Sequence, residues 1–197
     1  GYYPGAKVMT MKVVFEKDTW KLLGAQIVGT EGVDKRLDVL ATAMHAGMKA
    51  NMLKDLDLAY APPFSSAKDP VNMAGFMIEN IRNGFMKQYH WDEIAGLPRD
   101  GSVTLLDTRT AYEYKSGHID GYINIPVDDL RDRLNELDRS KTVYVICQSG
   151  LRSYIACRIL SQNGFDCNNF SGGYRFYASV IKEKEMSEYT YPCGMEK

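Results

Sequence analysis

The second half of the sequence alternates short β-prone segments with helix-like segments. The predicted strands cover residues 103–107, 122–125, 142–147 and 166–170. Helices are predicted between and after them, at residues 111–114, 129–134, 153–162 and 174–184. This order is typical of a parallel sheet with helices on both faces, because parallel neighbours need a crossover connection. We therefore predict an α/β fold for residues 91–197.

Residues 1–83 follow a different pattern. Two β-rich runs, residues 7–15 and 21–28, are separated by a polar turn and predict an antiparallel hairpin. Apolar residues spaced by three and four from Val33 to Met48 predict a helix, and Pro70 is placed to begin another. Since a lone hairpin is marginally stable at best, we expect this region to be part of an α+β antiparallel-sheet domain. A linker is predicted at residues 84–90.

The composition indicates which kinds of partner and which cellular compartment to expect. The chain has 197 residues and a net charge of −1, so neither nucleic acid nor a membrane surface is an expected partner. No apolar run approaches the ~20 residues needed to cross a bilayer. The four cysteines form neither a CxxC metal pair nor a disulfide framework. We therefore expect no metal site and a reducing, cytoplasmic location.

The segment VYVICQSGLRS, residues 143–153, contains the most informative cysteine. Cys147 ends a predicted strand, and a glycine, an arginine and a helix start follow it. In open α/β sheets, ligands bind beyond the carboxyl ends of strands, where backbone amides and helix N-termini attract anions. A cysteine in this position readily becomes a thiolate. We therefore predict that Cys147 is a nucleophile and that its substrate loop consists of Gln148, Ser149, Gly150, Leu151, Arg152 and Ser153.

The other cysteines do not share this setting. Gly150 permits a tight curve after Cys147, and Arg152 is expected to add positive charge at the rim of the loop. Cys157 falls within a predicted helix and Cys167 within a predicted strand, so both are expected to be small core residues. Cys193 lies in the C-terminal tail, and the sequence does not determine its role.

Three motifs between residues 91 and 184 resemble, in order, those of the rhodanese family. They are LLDTRTAYEYKSGHIDGYINIP, the loop CQSGLRS and the later FSGGYRFY. The resemblance implies that Cys147 takes sulfane sulfur from thiosulfate, polysulfide or coenzyme A persulfide. The cysteine would hold this sulfur as a persulfide and pass it to a thiol acceptor. Asp107, Arg109 and His118 are then expected to support the loop structurally rather than to act as acids or bases.

Two alternatives stay open. Cysteine-dependent phosphatases and arsenate reductases resemble the pattern C-x5-R, whereas only four residues separate Cys147 from Arg152. The shorter loop resembles the sulfurtransferase form. The rhodanese fold could instead serve as a non-catalytic dimerisation or docking module, although such a module would not need the thiol.

The first part of the chain resembles the dimerisation domain of flavin-dependent pyridine nucleotide-disulfide reductases. The strings GYYPGAK and YAPPFSSAKDP carry this resemblance, which is to the coenzyme A-disulfide reductases, some with a fused rhodanese domain. It implies a homodimer in which Tyr60, and Tyr2 or Tyr3, reach the thiol site of the partner subunit. It also implies FAD, NAD(P)H and coenzyme A for a full-length parent reductase.

The cofactor-binding domains of such a parent are not expected in this chain. No GxGxxG motif follows a predicted strand here. We therefore expect the chain to be the C-terminal part of the parent, with the flavin and nicotinamide domains upstream. The chain alone is expected to bind no cofactor and to lack reductase activity.

Overall fold

The computed structural model describes residues 3–187, with side chains described as far as residue 184. The chain forms two compact units, unit 1 (Gly1–Gly84) and unit 2 (Phe85–Lys197). Tyr2, one of the candidate site residues, and Cys193 lie outside the described residues. Within residues 3–187, no helix is both long and apolar enough to cross a bilayer.

Unit 1 contains an antiparallel hairpin and two α-helices. Strands β1 (Met9–Phe15) and β2 (Leu22–Gly29) form the hairpin. Helix α1 spans Val33–His45 and α2 spans Pro70–Arg82, with a 3-10 helix at Ala50–Asp55 between them. The predicted hairpin and both predicted helices are therefore present, with small differences at their ends.

The core of unit 1 lies between β2 and the helices. Its buried apolar residues are Leu22, Leu40, Ala43, Ala50, Leu53, Val71 and Ile78. Beside this core, the buried guanidinium of Arg36 lies 2.9 Å from the carboxylate of Asp69. Burial opposes ionisation of Asp69, but hydrogen bonds from the Val71 amide and from Arg36 outweigh it and lower its pKa. The pair joins α1 to the residue that caps the N-terminus of α2.

Unit 2 is built on a five-stranded sheet in which all neighbouring strands are parallel. Its strands are β3 (Gln88–Tyr89), β4 (Thr104–Asp107), β5 (Ile123–Asn124), β6 (Val143–Ile146) and β7 (Cys167–Phe170). Their spatial order is β3-β7-β6-β4-β5. The predicted parallel sheet is confirmed. Strand β3 lies inside the segment that was expected to be a linker. The sequence did not predict this strand, because two residues are too few to show an alternating pattern.

Three α-helices flank this sheet: α3 (Ala111–Lys115), α4 (Leu151–Gln162) and α5 (Gly173–Ser187). The helix predicted at residues 129–134 is wrong. Successive turns occupy this segment, and a short 3-10 helix follows at Leu134–Glu136. The segment contains three aspartates within residues 128–132, and aspartate is a weak helix former in a helix interior.

Helices cover both faces of the sheet. Leu106 of β4 belongs to the apolar cluster that contains Leu160 of α4. Its neighbour Leu105 points to the other face and packs in the cluster that includes Tyr174 of α5. Because both faces are buried, the central strand β6, VYVI, consists of hydrophobic residues throughout instead of alternating with polar ones. The predicted fold class is confirmed.

Candidate functional site

Three loops of unit 2 meet at the carboxyl edge of the parallel sheet. They follow β4, β6 and β7, and β6 lies between the other two strands. The amide of Thr108 donates to the carbonyl of Ile146 at 2.8 Å, and the amide of Tyr174 donates to that of Cys147 at 2.8 Å. These bonds fix the end of β6 from both sides. Cys147 therefore follows the middle strand, in the crevice where ligands of parallel sheets bind.

The sulfur of Cys147 accepts two hydrogen bonds from its own loop. The amide nitrogen of Gly150 lies 3.1 Å from Sγ, and the hydroxyl oxygen of Ser153 lies 3.2 Å from it. Gly150 has a φ of 107°, a conformation that favours glycine and lets the loop fold back over the sulfur. Hydrogen bonds to sulfur favour its charged form. Cys147 itself is fully buried, so the loop covers the thiol.

The start of α5 holds two carbonyls of the cysteine loop away from the sulfur. The amides of Tyr174 and Arg175 donate to the carbonyls of Cys147 and Gln148, at 2.8 and 3.2 Å. Gly173 makes this close approach possible, because a Cβ there would lie 2.5 Å from the amide nitrogen of Ser149. The double glycine of FSGGYRFY thus allows the start of α5 to pack directly against the backbone of the cysteine loop.

Asp107 and Arg109 form a buried ion pair beside the loop. The guanidinium of Arg109 bonds both carboxylate oxygens of Asp107, and its Nη2 donates to the carbonyl of Gly117 at 2.8 Å. Its carbon lies 3.9 Å from the ring centroid of Tyr174. The contacts with Asp107, Gly117 and Tyr174 fix the position of the Arg109 guanidinium. This geometry suits the supporting role expected for both residues.

Arg152 is paired with a carboxylate instead of presenting a free charge at the rim. Its two terminal nitrogens lie 2.7 and 2.6 Å from the two carboxylate oxygens of Glu113. The guanidinium lowers the pKa of Glu113 to about 2 against the opposing effect of burial. Glu113 also completes the capping box of α3 with Thr110. The ion pair therefore joins the N-terminal turn of α4 to that of α3.

The remaining candidate residues lie elsewhere. The exposed ring of His118 stacks on Tyr114 with centroids 4.0 Å apart, and its Nδ1 lies 3.1 Å from the Tyr114 carbonyl oxygen. Both contacts are to Tyr114 and agree with the supporting role expected for His118. In unit 1, Tyr60 and Tyr3 are 56% and 48% exposed. Their expected contact with a partner subunit stays a prediction.

Cys157 and Cys167 face each other between α4 and β7. Both are buried, and the thiol of Cys167 donates to the carbonyl of Cys157 at 3.3 Å. The hydrogen bond between the two thiols, together with burial, raises the pKa of Cys157. A neutral, buried thiol is a core residue and a poor nucleophile. Within the described residues, no cluster of three His, Cys, Asp or Glu side chains could hold a metal ion.

The sequence reasoning missed Asn169, which lies next to the cysteine loop. Its side chain is buried on β7, and its Nδ2 lies 3.4 Å from the carbonyl oxygen of Gly150. The available signal was an asparagine within the apolar surroundings of a predicted core strand. Buried polar side chains in such positions call for an explanation.

Two family profiles match the chain. The profile of the rhodanese-like domain matches residues 90–179, and that of the pyridine nucleotide-disulphide oxidoreductase dimerisation domain matches residues 1–71. The chain therefore combines a dimerisation domain of the pyridine nucleotide-disulphide oxidoreductases with a rhodanese-like domain. The resemblance identified from the motifs is confirmed.

Individual relatives agree with this assignment. The coenzyme A disulfide reductase of Staphylococcus epidermidis is 46% identical over 76 residues, which are 39% of this chain and 17% of that protein. The solved structure of reduced Bacillus anthracis CoADR-RHD is 48% identical, with a TM-score of 0.89, over 93% of this chain and 33% of that one. The structure of an NAD-dependent persulfide reductase from A. fulgidus is 40% identical, with a TM-score of 0.77. The match covers 89% of this chain and 31% of that one. The chain spans about a third of the length of these solved relatives.

The oxidoreductase family implies FAD and NAD(P)H. Dinucleotides bind where a strand leads into a helix through a glycine-rich turn. In unit 2, β4 leads into α3 through residues 108–110, β6 leads into α4 through the cysteine loop, and β7 leads into α5 through Ser171 and Gly172. None of these three connections contains GxGxxG, so they do not fit a dinucleotide site.

Proposed function

We propose that unit 2 is a sulfurtransferase in which Cys147 carries sulfane sulfur as a persulfide. The observation that supports this most strongly is the pair of donors on Sγ, the Gly150 amide and the Ser153 hydroxyl. Both favour a thiolate, which is the nucleophilic form of cysteine. No neighbouring general base is needed once the thiolate is formed, and the contacts of His118 agree with this.

Each half of the reaction is an exchange at sulfur. The Cys147 thiolate attacks the sulfane sulfur of the donor, a new S–S bond forms, and the donor leaves as a thiolate or as sulfite. An acceptor thiolate then attacks the outer sulfur of the Cys147 persulfide, and the Cys147 thiolate leaves. The second step restores the enzyme and gives a persulfide of the acceptor. No external oxidant or reductant is consumed.

The loop must open for this exchange. Cys147 has no exposed surface, so a donor sulfur reaches Sγ only when residues of the loop move aside. Hydrogen bonds in unliganded catalytic sites often tighten or rearrange when substrate binds. Leu151, at the mouth of the loop, is 62% exposed and has no packing role that would prevent such a shift.

We also propose a place for this unit in a larger reaction. The relatives named above are called coenzyme A disulfide reductase and NAD-dependent persulfide reductase. A longer protein of this kind would use FAD and NAD(P)H in other domains, and coenzyme A persulfide or polysulfide would pass sulfane sulfur to or from Cys147. Unit 1 would mediate a homodimer, with Tyr60 and Tyr3 near the partner's thiol site.

Intact mass after incubation with polysulfide, thiosulfate or coenzyme A persulfide tests the sulfur-carrier role. We expect a gain of one sulfur atom that cyanide or dithiothreitol removes. Cys147→Ser should abolish both the gain and the transfer, whereas Cys157→Ser serves as the matched control and should change neither. Wild-type transfer by Cys147→Ser would overturn the assignment to Cys147, whereas absence of transfer by the unaltered protein would favour the non-catalytic docking role.

A further inference from the structure

The backbone of one residue, Gly150, contacts the thiol and three other groups. Its N–H points to Sγ of Cys147 at 3.1 Å. Its carbonyl oxygen accepts hydrogen bonds from the Tyr154 amide at 3.0 Å, from the Ser153 hydroxyl at 3.1 Å and from Nδ2 of Asn169 at 3.4 Å. The N–H and the carbonyl of Gly150 belong to two different peptide groups that meet at its Cα. The carbonyl is therefore linked to the sulfur through the one donor that the two acceptors share, the hydroxyl of Ser153.

The hydroxyl of Ser153 has one proton and two acceptors. Its oxygen lies 3.2 Å from Sγ of Cys147 and 3.1 Å from the carbonyl oxygen of Gly150. A hydroxyl donates only one hydrogen bond at a time. When Ser153 donates to the sulfur, the Gly150 carbonyl loses one of its donors. Asn169 supplies an amide N–H to the same carbonyl.

The arrangement at Asn169 is costly to the fold. The residue is 2% exposed, and no described group donates to its Oδ1. Its second Nδ2 contact, 3.4 Å from the sulfur of Met86, is weak. Rotating the amide by half a turn would place Oδ1 against the Gly150 carbonyl, so the orientation is determined by that carbonyl. A buried polar group with an orphaned oxygen lowers stability and points to a role in the neighbouring loop.

From these contacts we propose that Asn169 is a positioning residue for Cys147. Its Nδ2 donates to the Gly150 carbonyl in place of the Ser153 hydroxyl, which releases the Ser153 proton to the sulfur. The inference rests on the proposed function, since it concerns the thiolate that would accept sulfur. The titratable groups around Cys147 do not change when Asn169 is replaced; they are the charged side chains of Arg152, Glu113, Asp107 and Arg109 and the neutral thiol of Cys157.

The test is the pH dependence of the thiolate in Asn169→Leu, which keeps a similar size but has no N–H. Ultraviolet thiolate absorbance needs no access to the buried sulfur. We expect the thiolate to appear at higher pH, with about a tenfold smaller thiolate population at a fixed pH below the transition, as for loss of a hydrogen bond to a charged group. Asn168→Leu, on the same strand but facing the other way, is the matched control and should behave as wild type.

A double-variant comparison separates positioning from general damage. In Ser153→Ala the hydroxyl is already absent, so adding Asn169→Leu should change the thiolate titration less than it does in the wild type. Additive effects would overturn the proposed route through the Ser153 proton. An unchanged titration in a folded Asn169→Leu would overturn the role itself. Asn169→Asp, which keeps the shape but places a second acceptor against the Gly150 carbonyl, should shift the titration in the same direction.

Sulfur transfer is measured on the same variants. Transfer by Asn169→Leu should fall about tenfold near neutral pH and recover in alkaline solution, where the thiolate forms without help. A structural defect would not recover with pH. If the wild-type protein itself transfers no sulfur, the proposed function fails, while the absorbance titration still decides the role of Asn169.

Discussion

The two units differ in how completely they bury their apolar residues. Of the exposed large hydrophobic side chains among the described residues, twelve lie in unit 1 and five in unit 2. Unit 2 covers both faces of its sheet with helices, whereas the hairpin of unit 1 turns one face outward, with Val8, Val14, Leu23 and Val28 exposed. Exposed apolar patches mark interaction surfaces. The difference agrees with the match of unit 1 to a dimerisation domain and supports our proposal that the chemistry lies in unit 2.

The units also use a buried Arg–Asp pair for different purposes. In unit 1, Arg36 and Asp69 join α1 to the start of α2, far along the chain from each other. In unit 2, Asp107 and Arg109 are two residues apart, and the pair orders the loops around Cys147. The same type of ion pair thus links two helices beside the core of unit 1 and orders the loops of the candidate site in unit 2.

We expect the largest effect on sulfur transfer from a methyl group added at Gly173, where α5 packs against the cysteine loop. Gly173→Ala should reduce sulfur transfer by at least about 100-fold, because its Cβ would displace the backbone of Gln148 and Ser149 and misplace the reacting groups. Transfer is measured with polysulfide as donor. Gly164→Ala is the control: it also has a positive φ of 83°, but no atom lies within 4 Å of the added Cβ. Near wild-type transfer by Gly173→Ala would show that α5 does not shape the loop.

The corresponding substitution in unit 1 is at Gly75, another glycine that packs tightly against backbone. In Gly75→Ala the new Cβ would overlap the backbone of Leu53 and Lys54, so we expect unit 1 to lose about 1–3 kcal/mol of stability. Thermal unfolding followed by circular dichroism measures this loss. Sulfur transfer should stay at the wild-type level, because the loop of Cys147 belongs to unit 2. Parallel loss of transfer would contradict the independence of the two units.

A charge on the outward face of the hairpin should weaken self-association. Val28 is 74% exposed, and Val28→Lys is expected to raise the dimer dissociation constant about tenfold, as for loss of one buried valine. Light scattering over a dilution series gives the constant. Tyr112→Lys changes an equally exposed side chain in unit 2 and should leave association unchanged. A strictly monomeric wild-type chain would remove the basis for the homodimer proposal.

The smallest expected effect concerns acid stability of the Arg152–Glu113 pair. The pKa of Glu113 is lowered from its ordinary value of 4.5 to about 2, so the pair stabilises the folded state above pH 4.5. This contribution is lost as the pH falls toward 2. Glu113→Gln should lower the free energy of unfolding at neutral pH by about 1–2 kcal/mol and flatten its dependence on pH in this range. Denaturant unfolding at a series of pH values measures both. An unchanged pH dependence would mean that the pair contributes nothing to stability.

The alternation of strands and helices in unit 2 and the position of Cys147 were predictable because local sequence determines them. Apolar segments of strand length alternate with helical segments, and a glycine and a helix start follow the strand-end cysteine within four residues. These features act over a few residues. The hairpin and the two helices of unit 1 were predictable for the same reason.

What could not be predicted depends on contacts between distant segments. Glu113 and Arg152 are 39 positions apart, and nothing in the local sequence indicates that the expected rim charge is already paired. The closeness of Gly173 to Ser149 and of Asn169 to Gly150 likewise arises only when β6 and β7 lie side by side. The complete burial of Cys147 is another product of this packing.

If Cys147 carries sulfur as we propose, its burial would limit how quickly that sulfur can be lost. A group without exposed surface reacts with solutes only during brief openings of its surroundings, and the observed rate falls in proportion to the open population. A dilute peroxide would therefore seldom meet the sulfur, and oxidation beyond the sulfenic acid would be slow. A bound acceptor that holds the loop open escapes this restriction. The closed loop would thus set the lifetime of the persulfide, protecting it between one partner and the next.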